Sequence, residues 1–143
     1  MISLEMRPRT AVRLGLSARE LRGALEAMLR DLDCQELHLD VLVTGDREMA
    51  IYNKQFLDLV GPTNVLSFPA GDDGSSGQLG SLCLCAPAVF REAALYGQDL
   101  FEHLVRLLAH GLLHLLEMPH GPEMDEQTEV LVGRLSRFQP AAC

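Results

Sequence analysis

Segments of strand character alternate along this chain with segments of helical periodicity, and that intermixing predicts a small sheet with helices packed against it. Length and composition agree. The chain has 143 residues, which predicts one domain over 1–143 with a core large enough to fold without disulfides. Hydrophobic residues make up 48% and charged residues 22%, a globular balance that argues against disorder.

Residues 9–14, Arg-Thr-Ala-Val-Arg-Leu, read as the first short strand. Ser17 then stands three residues before Glu20, the spacing of a capping box. Leu21, Leu25, Met28, Leu29 and Leu32 follow at helical intervals, predicting an amphipathic helix over 18–32. Residues 37–43 alternate and then become fully apolar, which reads as a strand. Asp46 is placed to cap a second helix that carries Met49, Ile51, Tyr52 and Phe56 and ends at Gly61-Pro62. Strands are expected at 64–68 and 79–85, separated by a loop over 70–78. Pro87 suits the first turn of a helix over 88–96, and Asp99 the cap of a fourth helix running to about Leu116. Residues 123–138 begin with acids and finish with Arg134 and Arg137, the charge order that suits a terminal helix.

Charge and cysteine usage exclude several classes of function. Twelve Lys and Arg stand against twenty Asp and Glu, for a net charge of −8 and a pI near 5.0, so a strongly basic nucleic-acid coat is ruled out. Cys34, Cys83, Cys85 and Cys143 have uneven spacing and form no secreted disulfide framework. Cys83 and Cys85 share one strand face and read as buried thiols, and His38 reads as structural. The first ten residues lack the apolar run of a signal peptide, and no stretch approaches the roughly 18 apolar residues of a membrane span. The expectation is a soluble protein of the reducing cytoplasm, with no membrane partner.

The chemistry sits at His110-Gly-Leu-Leu-His114-Leu-Leu-Glu-Met-Pro-His120. His110 and His114 lie four apart, on one face of the predicted helix, at a separation that fits two ligands of one metal. Pro119 cannot continue that helix, so the chain must bend, and a bend can bring His120 over the same face. Three neutral imidazoles with an open fourth position make the catalytic form of a zinc site, with one divalent ion lowering the pKa of water toward about 7. The competing reading is a set of surface or satisfied core histidines. His103, seven residues before His110, reads as a distant fourth ligand, a support behind the ligands, or a surface residue. Arg106, one turn before His110, reads as a surface cation or as a phosphate clamp beside the metal. The spacing also matches the metzincin proteases, but Gly111 stands where a protease carries its Glu base.

The same residues, His110-Gly-x-Leu-His114-Leu-Leu-x-x-x-His120, resemble the signature of the YbeY family, metal-dependent endoribonucleases and rRNA maturation factors of bacteria. Pro62-Thr63-Asn64-Val65-Leu66-Ser67-Phe68-Pro69 is similar to that family's PT(D/N)VLSFP strand, and Leu79-Gly80-Ser81-Leu82-Cys83-Leu84-Cys85 to its LGD-type strand. Asn53 fits an upstream Leu-Asn helix. The resemblance implies an α+β fold: a small mixed, mostly four-stranded sheet flanked by about five helices, with a zincin-like metal site at the mouth of a cleft. It implies His110, His114 and His120 as zinc ligands, with His114 acting through the water on the metal. It also implies ribosomal RNA and the small ribosomal subunit as partners. Thr63, Asn64 and Ser67 then become candidates for positioning RNA, with Arg106 or Lys54 holding phosphate; the alternative for that strand is a purely structural role.

Three positions depart from the family pattern. Leu57 stands where the family has a basic residue, Ser81 replaces the LGD aspartate, and Glu117-Met118-Pro119 replaces Gly-Tyr-Asp. The function expected is a single-strand-selective, metal-dependent endoribonuclease in rRNA maturation. The alternatives are a metal-dependent hydrolase of another class, such as a peptidase, or a non-enzymatic ribosome-assembly factor with a structural metal.

Overall fold

The computed structural model describes residues 1–72 and 75–135. Arg137, Cys143 and the last residues of the expected terminal helix lie outside them. The elements are β1 (Ile2–Met6), α1 (Thr10–Leu14), α2 (Ala18–Asp31), β2 (His38–Thr44), α3 (Asp46–Leu57), β3 (Val65–Pro69), β4 (Gln78–Cys85), α4 (Ala86–Leu95), α5 (Leu100–Leu115) and α6 (Pro122–Leu135). The four strands form one mixed sheet in the order β1-β2-β4-β3, with β1, β2 and β4 parallel and β3 antiparallel to β4. The α+β class is thus observed, with six helices among the described residues where five were expected.

The extra helix corrects the first strand. Residues 10–14 form α1, and the edge strand is Ile2–Met6, whose alternation places Ile2, Leu4 and Met6 on one side. The segment 9–14 looks like a strand because Thr10, Val12 and Leu14 would share one face. In the helix Thr10 and Leu14, four apart, are buried while Val12 is 84% exposed. The Thr10 hydroxyl donates to the Arg7 carbonyl (2.6 Å) and Gly15 closes the turn on Ala11 and Val12. Tertiary packing of this short turn against α4 and α5 outweighs β-propensity.

The caps are largely as expected. Ser17 Oγ accepts from the Glu20 amide (3.1 Å) and Glu20 returns to the Ser17 amide (3.0 Å), a complete capping box. Pro87 lies in the first turn of α4, and the Asp99 carboxylate accepts from the Glu102 amide (3.0 Å) at the start of α5. Asp46 is a correction. Gly45 is the N-cap of α3, and Asp46 pairs instead with Arg91 of α4 (2.7 Å). Helix α3 also ends before Gly61-Pro62, at Leu57, where Asp58 turns left-handed (φ 56°).

Helices α2 and α5 cover one face of the sheet, α6 packs against both, and together they bury the main core, including Leu21, Leu25, Met28, Leu82, Leu108 and Leu112. Full burial of such side chains contributes about 1.5–3 kcal/mol each. Helix α3 covers part of the other face through Met49, against Leu66, Cys83 and Cys85. Burial pushes the Cys83 thiol up to about 12 and Cys85 up to about 11, so both stay protonated and inert, as expected. His38 is tied to Ser3 (3.1 Å) and Asp40 (3.0 Å), a structural role.

Candidate metal centre

Helix α5 lies on β3 and β4 and carries His110 and His114. Its approach depends on Gly111. A Cβ there would stand 3.0 Å from Leu82 Cδ2 and 3.3 Å from Ser67 Oγ. The absence of a side chain at residue 111 lets the backbone of the histidine turn lie close to the sheet. A side chain at this position, such as the protease Glu, would crowd Leu82 and Ser67. Ser67 completes the contact by donating to the Gly111 carbonyl (3.3 Å). Gly80 on β4 is equally constrained: its φ is +147° and a Cβ would meet the Phe68 carbonyl oxygen at 2.5 Å.

The bend after α5 is a Schellman turn. The Glu117 amide donates to the His114 carbonyl (2.9 Å), and the Met118 amide reaches back to Leu113 (3.1 Å). Glu117 occupies the left-handed position (φ 60°) that such turns usually give to glycine, and Pro119 prevents the helix from resuming. The chain reverses and delivers His120.

The three imidazoles converge. One nitrogen from each of His110, His114 and His120 lies within 4.8 Å of the others, and the Nε2 atoms of His110 and His114 are 3.1 Å apart. Ring centroids are separated by 4.6, 5.6 and 4.3 Å. His110 and His114 are half-buried, whereas His120 is exposed. Burial lowers the pKa of both helical imidazoles, the neighbouring histidines add to it, and Asp125 of α6 opposes it at His110. A depressed pKa favours the neutral ring, the form that ligates a metal. A set of three neutral nitrogens without a carboxylate fits a borderline divalent cation.

The other candidate residues divide. Asn64 and Ser67 line a cavity of about 480 Å³ together with His110 and His114. Thr63 borders a different cavity, with Arg91 and Glu92. Lys54 pairs with Asp58 on the surface of α3 (2.7 Å) and is not among the residues lining the histidine cavity. Arg106 is engaged on every side: Nε and Nη2 hold both Glu129 oxygens (2.9 and 3.0 Å), Nη1 donates to Gln98 (2.9 Å), and Nη2 also reaches Glu102 (3.2 Å). These contacts make it a tie between α5 and α6, and they raise its already high pKa.

His103 is neither a ligand nor a surface residue. It is buried, and its Nε2 meets Glu92 Oε1 at 3.0 Å. Glu92 in turn accepts from Asn64 Nδ2 (3.1 and 3.3 Å), and Asn64 Oδ1 accepts from the Val65 amide (2.7 Å). This network fixes the start of β3 beside the histidines. Sequence reading missed Glu92 in this role, because its partners lie 28 and 11 residues away. Asn53 ties α3 to the loop before β3 through the Gly61 carbonyl (2.8 Å).

Comparison with known proteins shows the family. The sequence model of the family described as Endoribonuclease YbeY matches residues 9–134. Endoribonuclease YbeY of Oleidesulfovibrio alaskensis is 40% identical over 153 residues, covering 92% of this chain and 90% of the relative. The protein of the same name from Nitratidesulfovibrio vulgaris is 37% identical over 135 residues, covering 82% and 83%. A solution structure of a Thermotoga maritima protein superposes with a TM-score of 0.71 at 23% identity, covering 96% of this chain and 91% of that one, a likeness of fold. The chain belongs to the YbeY family.

Proposed function

We propose that residues 1–143 form a single metal-hydrolase domain that cuts single-stranded RNA during ribosomal RNA maturation and ribosome assembly. In this reading one zinc ion is the native metal, the small ribosomal subunit is the partner, and the cytoplasm is the place of action. The observation that carries it is the convergence of His110, His114 and His120 at the end of α5, in a chain whose curated relatives are named endoribonucleases.

When bound, the ion supplies Lewis acidity toward a phosphoryl oxygen and acidifies water at neutral pH. The protein supplies the rest. His110 and His114 present neutral nitrogens from a rigid helix, and the turn at Glu117 holds His120 as the third donor. Asn64 and Ser67 place polar groups along the cavity wall where an RNA strand passes the histidines. Among the described residues no helix is long and apolar enough to cross a membrane.

The test is elemental analysis of the purified protein, with cleavage assays on single-stranded and duplex RNA. Stoichiometric zinc and chelator-sensitive cleavage of the single strand, abolished in His114→Ala, is the expected result. Equal cleavage by His114→Ala would expose a contaminating nuclease. Bound metal and ribosome association without turnover would establish an assembly factor instead, a reading favoured by Leu57 and by the engagement of Arg106. Gly111, where the metzincin pattern carries its Glu base, speaks against a peptidase.

A further inference from the structure

The walls around the histidines carry little that can hold a phosphate by charge. The cavity containing His110 and His114 is lined by Leu57, Asn64, Val65, Leu66, Ser67, Phe68 and Pro69, and no Lys or Arg is among these residues. On the other side of His110, the adjoining cavity of about 490 Å³ contains Arg106, but it also contains Asp125 and Glu129. Glu129 already occupies two donors of that guanidinium, so this wall is acidic in sum. Lys54, the nearest cation in sequence to Leu57, pairs with Asp58 on the surface of α3 and does not line the cavity.

The cavity offers an apolar shelf in place of charge. Leu57 is 52% exposed at the end of α3, and half-buried Phe68 lines the same cavity from the side of β3 that α3 covers. Phe68 is held in place by an edge-on contact with Phe56, ring centroids 5.1 Å apart. A solvent-facing leucine and a ring packed on Phe56, both lining the cavity that holds two of the histidines, form a surface for a flat apolar group. In RNA that group is an unpaired base, since a paired base has both faces stacked and its edge engaged.

We propose that Leu57 and Phe68 form a base-binding shelf, so that this chain grips RNA at its metal centre by packing an unpaired nucleobase rather than by pairing phosphates with side-chain cations. The inference rests on the endoribonuclease reading and specifies the substrate contact at that site. It also gives single-strand selectivity a physical origin. Binding affinity for single strands falls with salt at a slope of about −0.7 per phosphate neutralised. With no Lys or Arg among the described residues that line this cavity, and the metal contacting one phosphate, the slope should be about −0.7 or shallower.

The test is fluorescence anisotropy of a short fluorescein-labelled single-stranded RNA, titrated with the full zinc-loaded protein over a range of salt, with gels confirming that the strand stays intact. The wild type is expected to show the shallow slope. Leu57→Arg should steepen the slope to about −1.4, while Arg106→Gln should leave it unchanged. An abasic nucleotide in the register of the shelf should weaken wild-type binding by about tenfold and binding by Phe68→Ala far less. A wild-type slope of about −2 or steeper, a shallower slope in Arg106→Gln, equal binding of the abasic strand, or no binding at low salt would each overturn the shelf. Cleavage is read in parallel. Base-dependent binding without chelator-sensitive cleavage sinks the nuclease reading and leaves the shelf standing; cleavage with base-independent binding does the reverse.

Discussion

Helices α5 and α3 end beside the same cavity by related backbone means, and what they deliver there differs. Both end in a residue other than glycine in the left-handed region, Glu117 at φ 60° and Asp58 at φ 56°. Helix α5 closes with the two bonds of a Schellman turn, and α3 with the Asp58 amide on the Lys54 carbonyl (3.1 Å). The end of α5 brings together imidazoles, whereas the end of α3 brings Leu57, at the position where the family pattern has a basic residue. The α5 wall offers metal-ligating nitrogens and the α3 wall an apolar side chain. Metal binding and substrate grip are therefore assigned to different walls, and each can be tested by itself.

The sharpest way to break the comparison is to remove the α5 wall. His114→Ala should lose stoichiometric metal and at least about 100-fold of any cleavage, since removing a ligand exceeds the 10–100-fold effect of losing a group that merely orients one. Its far-ultraviolet circular dichroism should stay unchanged, because His114 is half-buried and outside the apolar core. Metal retained at full stoichiometry would mean that the ligands lie elsewhere.

The α5 wall also depends on how closely its helix approaches the sheet. Gly111→Val should cost about 2–3 kcal/mol and lower the melting temperature by roughly 10 °C, because the added atoms meet fully buried Leu82. Gly111→Ala should cost less, since its better helix propensity offsets about 1 kcal/mol of the overlap. A Gly111→Val protein as stable as the wild type would show that the contact between α5 and the sheet is looser than the distances indicate.

The histidine triad was legible because its signals are local: an i, i+4 pair, a proline stop and a third imidazole one residue on. The long helices and three of the four strands were legible for the same reason, through period and caps. What failed to show was tertiary. Thr10, Val12 and Leu14 satisfy a strand pattern, and only packing on α4 and α5 makes them a helix. Arg106 sits on the stripe of His110, and nothing local reveals that Glu129, 23 residues later, has already taken its guanidinium. The chain from His103 through Glu92 to Asn64 links three elements and has no sequence period at all.

The α3 wall has its own anchor, which acid should release. Glu48 accepts two bonds from Arg7 (2.9 and 3.1 Å), one from the Tyr52 hydroxyl (3.2 Å) and one from Thr44, tying α3 to β2 and to the residue after β1. The Arg7 bonds, followed by that of Thr44, lower its pKa to about 2. A carboxylate with a depressed folded-state pKa stabilises the fold fully above its unfolded value, near 4.5, and loses that contribution as pH falls toward 2. Glu48→Gln should therefore cost on the order of 1 kcal/mol at neutral pH, given the pair's partial exposure, and progressively less below about pH 4.5. Thermal melts of both proteins from neutral to acid pH check this. A gap that stays constant with pH would show that the charge on Glu48 contributes nothing.

The smallest effect bears on the two helix ends directly. A left-handed conformation costs an ordinary residue roughly 1–2 kcal/mol, less for Asp, whose short side chain can bond locally, and nothing for Gly. Glycine gives part of that back through the greater freedom of the unfolded chain. Glu117→Gly should then stabilise the protein by about 0.5–1 kcal/mol, and Asp58→Gly by about half as much or less, also because it releases the pairing with Lys54. Metal affinity should be unchanged in both, since neither substitution touches a ligand. A larger gain from Asp58→Gly than from Glu117→Gly would place the strain at the end of α3. The turn that aims His120 would then be relaxed as it stands, and replacing the family's glycine by Glu117 would have cost the metal wall nothing.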